Sequence, residues 1–251
     1  MKPGIYFYFL VCLLNLTACE KSGKDVTPSA PNHLQAGYAT GKVVDILGNP
    51  IQGAEITANN TGSYSNNVVG YTDANGIYKV KLRSGPLVGS FYIRGTAKVR
   101  YDGQTYTLPL FTEDDGAFDP DKGAIKNLRL KTSGKRTGNF GDEGYYGGQA
   151  EVDNWTQATR FSDIELTFKP VGPLIDGSTG KTFITKLNGY YADDVPLGKY
   201  TISARQLSTN KPLAIRIRNK GQEYTQSTIG KFEPAYEGAQ RFHMMIQIKD
   251  L

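Results

Sequence analysis

From Gly37 onward the chain alternates apolar and polar residues in short runs, broken by Gly, Asn, Asp and Pro. Ala54, Ile56 and Ala58 alternate with Glu55 and Thr57, and Val80 and Leu82 alternate with Lys79, Lys81 and Arg83. Further along, Ile164, Leu166 and Phe168 alternate with Glu165, Thr167 and Lys169. Tyr200, Ile202 and Ala204 form another such run, and so do Phe242, Met244, Ile246 and Ile248. Side chains leave a strand on alternate sides, so each run predicts a strand with one face in a core. Long stretches of helical spacing are missing. The chain is therefore predicted to be all-β. The region beyond position 36 has room for two tandem antiparallel β-sandwiches of roughly 100 residues each.

The turns sharpen this picture. Residues 72–84 read "TDANGIYKVKLRS". Asp73 and Asn75 stand as the first ligands of a calcium loop would, but the rest of such a loop is missing. Asn75-Gly76 suits a tight reversal, because both residues tolerate positive φ, so the stretch predicts a hairpin turn. Asp102-Gly103 predicts a second hairpin, and Asn188-Gly189 repeats the first dipeptide in the second half. The phrase "VPLGKYTISA" at 195–204 turns on Pro-Leu-Gly and launches a strand. The expected organisation is a first sandwich over 37–131, a Gly-rich linker or loop over 132–148 and a second, diverged sandwich over 149–251.

The stretch "GKVVDILGNPIQGAEI" at 41–56, followed by "TDANGIY" at 72–78, resembles the carboxypeptidase regulatory-like domain family. The resemblance spans about residues 37–82. It implies a seven-stranded, prealbumin-like β-sandwich of a type also grouped with starch-binding-like folds. "VPLGKY" is similar to the turn that opens a central strand in the same family. The zinc-binding catalytic domain of the metallocarboxypeptidases has no counterpart in this sequence.

The N-terminal segment reads differently. Lys2 precedes "IYFYFLVCLL" at 5–14, an apolar run of signal-peptide length, well under the roughly 20 residues that span a bilayer. "LTAC" at 16–19 resembles the lipobox of bacterial lipoproteins. That resemblance implies a signal peptide over 1–18 and a lipid on Cys19, which would join the protein to the membrane. Cys12 would be removed with the signal peptide, leaving one cysteine and no internal disulfide. Residues 20–35, "EKSGKDVTPSAPNHLQ", are too polar to bury a core and complete a flexible tether over 19–36. Glu20 after the cysteine implies the outer membrane within that family. "EKSGKD" is similar to the export tags of Bacteroidetes surface lipoproteins, and the sequence leaves open whether the protein faces the periplasm or the cell exterior.

Charge and composition narrow the function. A formal net charge of +5 over 251 residues is mild, and no basic run is dense enough for a nucleic-acid groove. There are two histidines, His33 in the tether and His243 in the last strand, and neither has a second histidine at metal spacing. H-E-x-x-H, C-x-x-C and G-x-S-x-G are absent, so neither an enzyme nor a cofactor is expected. Residues 113–123, "EDDGAFDPDKG", concentrate carboxylates. Asp114, Asp115, Asp119 and Asp121 are a weak candidate calcium site, against the plainer reading of a solvated turn. Aromatic residues are the stronger lead. Tyr78 and Tyr200 are expected in the cores, whereas Tyr145, Tyr146, Trp155, Tyr190 and Tyr191 fall in glycine-rich or turn segments. Rings in such places either stack on sugars or pack the two sandwiches together. The expectation is a non-catalytic, membrane-anchored binding module for polysaccharide. The alternative is a structural spacer, adhesin or accessory subunit with an outer-membrane protein as partner.

Overall fold

The computed structural model describes residues 33–155 and 159–251. Cys19, the signal-peptide segment and nearly all of the tether lie outside the described residues.

The first half carries β1 (Tyr38–Val44), β2 (Glu55–Asn60), β3 (Val68–Tyr71), β4 (Ile77–Lys81), β5 (Phe91–Tyr101), β6 (Gln104–Phe111), β7 (Ala124–Ile125) and β8 (Leu128–Leu130). These strands hydrogen-bond in the order β3-β2-β5-β6-β8-β1-β4, with β7 beside β1. The second half carries β9 (Gly148–Asn154), β10 (Ile164–Pro170), β11 (Phe183–Lys186), β12 (Tyr191–Val195) and β13 (Lys199–Gln206). It continues with β14 (Pro212–Ile217), β15 (Ser227–Lys231), β16 (Glu233–Pro234) and β17 (Phe242–Asp250). Their order is β11-β10-β13-β14-β17-β9-β12, with β15 beside β13 and β16 beside β17. Taken in chain order, the two seven-strand paths are the same. Parallel pairing falls at the same place in both, β1 with β7 and then β8 in the first half and β9 with β17 in the second; every other strand pair is antiparallel. The fold is two tandem all-β sandwiches of one topology.

Alternation assigned the buried faces well. Ala54, Ile56, Ala58, Tyr78, Val80 and Leu82 are buried in the first sandwich. Ile164, Leu166, Phe168, Tyr200, Ile202, Ala204, Phe242, Met244, Ile246 and Ile248 are buried in the second. At the β5–β6 hairpin Asp102 has φ 45° and Gly103 φ 80°, the paired left-handed residues that match strand twist.

The turn at 73–76 departs from the expectation. It is a tight reversal, with Asp73 Oδ1 accepting the amides of Asn75 and Ile77. The strands it joins are not a hairpin pair, because β3 bonds to β2 and β4 bonds to β1. It is a crossover from one layer of the sandwich to the other. Gly76 alone takes positive φ, 71°, and its carbonyl accepts the Val43 amide. The turn at Asn188-Gly189 joins β11 to β12 at the corresponding place in the second sandwich.

The Gly-rich segment between the sandwiches is neither a bare linker nor a loose loop. It folds back on itself as a strap. Arg136 N bonds Gly144 O, Tyr146 N bonds Gly134 O, and Lys135 bridges to Tyr145. Arg136 and Asp142 form a part-buried ion pair at 3.1 Å within it. Its tip reaches the first sandwich. Phe140 stacks on Tyr92 with ring centroids 4.1 Å apart, Asn139 O accepts from Arg94, and Asn139 Nδ2 donates to Asp115. Its base is fixed to the second sandwich by Asp194, whose carboxylate accepts the Gly134 and Gly147 amides.

The tip of the β5–β6 hairpin makes the other join. Tyr106 Oη donates to Phe232 O, Tyr101 Oη donates to Pro173 O, and Asp102 pairs with both Lys199 and Lys231. The Tyr106 ring lies 5.8 Å from that of Phe242. The buried residues of both sandwiches form one continuous hydrophobic cluster.

Candidate ligand-binding face

The pairing of β9 with β17 assembles a face that neither strand forms alone. The parallel register sets His243 beside Gln149, Met245 beside Glu151 and Gln247 beside Asp153. On the other side of β9, β12 places Tyr191 beside Glu151. Inward neighbours Ala150, Val152, Met244 and Ile246 are buried, so the outward set follows from strand alternation. The ladder runs one residue past β9, because Trp155 N bonds Ile248 O. Alternation thus brings Gln149, Glu151, Asp153 and Trp155 to one side.

Three rows cross this face. The first is Asp193–Gln149–His243, with Gln149 Nε2 donating to Asp193 Oδ1 at 2.7 Å. The second is Tyr191–Glu151–Met245. Met245 is 43% exposed, and among the described residues Glu151 has no hydrogen-bond or ion-pair partner. Desolvation and then the charge of Glu151 raise the pKa of the Tyr191 hydroxyl. The third row is Asp153–Gln247–Arg216. Arg216 Nε donates to Gln247 Oε1 at 2.9 Å, Gln247 Nε2 donates to Asp153, and Arg218 pairs with Asp153. Arg216 and Lys249 both rest on the Tyr224 ring, which borders the β14 side.

The face is not flat. A cleft of about 270 Å³, lined by Tyr145, Gln149, Asp193 and Arg241, opens at its first row. A larger one, about 510 Å³, opens beside Met245 and Arg218, and the two share His243. The lysines of the larger cleft are paired, Lys220 with Glu233 and Lys199 and Lys231 with Asp102.

The five aromatic residues picked out from the sequence separate. Trp155 is 68% exposed, Tyr145 43% and Tyr190 49%. Tyr191 is half-buried on the face, 4.7 Å from the ring of Tyr190, which also packs edge-on to Phe161. Tyr146 is a correction. It is 2% exposed, meets Phe111 edge to face and carries Arg136 over its ring, so it packs the strap against the first sandwich and offers nothing to a ligand. Burial raises its hydroxyl pKa to about 12.

The acidic loop is a second correction. Asp114 is bonded to the buried Lys126 at 2.7 Å, Asp115 is buried and accepts from Asn139, and Asp119 caps its own turn through the Asp121 amide. The carboxylates of Asp114, Asp115 and Asp119 are directed to separate structural partners. Among the described residues no group of three or more His, Cys, Asp or Glu is placed to hold a metal ion.

Sequence reasoning missed Glu151, Gln149 and Met245. Alternation in "QAEVDNW" and "FHMMIQIK" already turned them outward. The parallel pairing that unites the two segments is a long-range contact with no local signal.

No protein family matches the chain, and no curated protein matches it. Solved structures overlap it loosely. The TIE protein of Bacillus anthracis is 16% identical over 87% of this chain and 34% of its own, with a TM-score of 0.31. A 9R-lipoxygenase from Cyanothece PCC8801 is 15% identical over 41% of this chain and 18% of its own, with a TM-score of 0.25. The C-terminal fragment of a pilus adhesin from Lactobacillus rhamnosus GG is 13% identical over 86% of this chain and 98% of its own, with a TM-score of 0.24. This chain therefore spans about a third or less of the first two. Overlaps this loose carry no functional argument.

Proposed function

We propose that the protein is a non-catalytic surface module that binds carbohydrate through the open face of its second sandwich, the first sandwich serving as a stalk. One observation carries this reading. Strand register sets Tyr191, Glu151 and Met245 in one row, with Tyr145 in the cleft at one end of the face, Trp155 one residue past β9 at the other, and no hydrogen-bond or ion-pair partner for Glu151 among the described residues. Apolar ring faces and adjacent polar groups are what a sugar requires, since each sugar presents C–H on its faces and hydroxyls on its rim. The lipid on Cys19 and the polar tether would hold this module at the outer membrane.

Retention on immobilised polysaccharides tests the binding. Wild-type chain should be retained by at least one, and Tyr191→Ala should elute early with its melting temperature nearly unchanged. A chain that no polysaccharide retains would sink the carbohydrate reading. The anchor has its own test: Cys19→Ala should move the protein from the membrane fraction to the soluble one.

A structural role is the second reading, favoured by the continuous core that welds the two sandwiches. A spacer or accessory subunit needs that stiffness. Its mark would be a partner in the outer membrane whose cross-linking is lost when the strap is cut.

A further inference from the structure

We infer that the face takes a neutral, linear polysaccharide lying along β9 and held over several sugar residues; this rests on the carbohydrate reading above. Charge is the first ground. Its three rows and their border carry three carboxylates, Asp193, Glu151 and Asp153, and three cations, Arg216, Arg218 and Lys249. The cations are already engaged, Arg218 with Asp153, Arg216 with Gln247, and both Arg216 and Lys249 with the Tyr224 ring. A polyanion is captured by cations free to meet it; the rows present none, and Arg241, in the cleft at the first row, shares that cleft with Glu143 and Asp193. Within the rows the unpartnered charge is instead negative. Glu151 sits between Tyr191 and Met245, where it accepts from hydroxyl groups and repels a carboxylate or sulfate.

Shape is the second ground. Gln149, Glu151 and Asp153 on β9 and Trp155 one residue past it follow one another at two-residue intervals. At a rise of about 3.3 Å per residue they mark a track of roughly 20 Å. Apolar plates occur along it: Tyr145 at the cleft, Tyr191 with Met245 midway, and Trp155 at the far end. Polar planar groups stand between them. A single sugar would meet one plate, and only an extended chain reaches all three. Tyr145, Met245 and Trp155 are exposed and Tyr191 half-buried, and the four come from the strap, β17, the end of the β9 ladder and β12, so the site is held by the sheet and needs no ordering on binding.

Calorimetric titration of the full chain carrying Cys19→Ala, with neutral oligosaccharides of increasing length from glucan, mannan and xylan and with polygalacturonate as the acidic probe, tests this. Affinity for one neutral series should rise with length and then level off, and should change little between low and high salt. Glu151→Gln and Trp155→Ala should each weaken binding about tenfold, the size of a lost charge-assisted hydrogen bond or ring contact, without moving the melting temperature. Preferential, salt-suppressed binding of polygalacturonate would overturn the neutral-chain inference while the carbohydrate reading stood. So would equal affinity for a monosaccharide and a hexasaccharide, or a neutral chain whose binding ignores both substitutions. If no saccharide of either kind binds, the broader reading fails, and this inference with it.

Discussion

The two sandwiches share one strand order and differ at one ladder. In the first, β1 runs parallel to β7 and then β8, pairing Ala39 with Ala124, Thr40 with Ile125, Val43 with Leu128 and Val44 with Arg129. Between these pairs the ladder breaks. Lys126 turns its carbonyl to the Tyr78 hydroxyl and buries its ammonium against Asp114, and Asn127 Oδ1 accepts the Lys42 amide. Gly41 is required there, because a Cβ would stand 2.1 Å from Lys126 O. In the second, β9 and β17 pair without a break from Gln149–His243 to Asn154–Ile248. One ladder is interrupted and filled by its own side chains, and the other is continuous and presents a polar, aromatic-edged surface. In the proposed function the same topology would serve as a stalk in one half and a reader in the other, according to how the parallel ladder is treated.

The comparison breaks most sharply if the sandwiches are independent. One continuous core predicts that they unfold together. Phe91→Ala in the first and Phe168→Ala in the second, each replacing a fully buried ring, should each cost about 3–5 kcal/mol. Scanning calorimetry should show a single transition in the wild type, lowered in both variants. Two transitions, only one of them moving with each substitution, would mean that the strap and the β5–β6 tip do not couple the halves.

How much of this was legible in the sequence differs between the two halves of the comparison. Strand faces were legible, because alternation is local and burial follows it, as at Val80, Leu82, Tyr200 and Ile202. The Asn-Gly turns were legible as reversals but not as crossovers, since φ preference says nothing about which neighbour a strand will bond. The acidic loop and the Gly-rich strap were legible only as a turn and as a linker or loop, without their partners, for a related reason. Lys126 and Asn139, which hold Asp114 and Asp115, lie in other segments, and composition alone cannot name such partners. The face was legible only as loose aromatics. Its middle row needs β12, β9 and β17 in one register, and no local pattern encodes that pairing.

The paired Asn-Gly turns sharpen the comparison at a middle scale. Gly76 has φ 71° and would place a Cβ 2.4 Å from Val43 O, whereas Gly189 has φ 61° and nothing within 4 Å. Both alanine variants incur the left-handed penalty of about 1–2 kcal/mol. Gly76→Ala must also displace backbone of β1, so it should lower stability by distinctly more than Gly189→Ala in chemical denaturation. Equal losses would show that the first crossover has more room than the geometry gives it.

The smallest effect lies in the pH dependence of the strap, whose two ends rest on carboxylates of opposite character. At the tip, burial pushes Asp115 up, but hydrogen bonds from Thr137 and Asn139 and the nearby Arg94 outweigh it and hold its carboxyl below the ordinary value. At the base, burial raises Asp194, and Asp193 adds to that, while the Gly134 and Gly147 amides offset it only in part. Between the folded and unfolded values of Asp115 the unfolded chain binds more protons, so its contribution is present above about pH 4 and is lost as pH falls below that. For Asp194 the folded chain binds more protons, so its contribution is present below about pH 4 and declines as pH rises through the raised folded value. Denaturation of Asp115→Asn from pH 3 to 7 should therefore lose part of the rising arm of the stability profile, and Asp194→Asn part of the falling one. If both substitutions flatten the same arm, the strap is held by one kind of contact at both ends. The contrast between its tip on the stalk and its base beneath the reader would then be electrostatically empty.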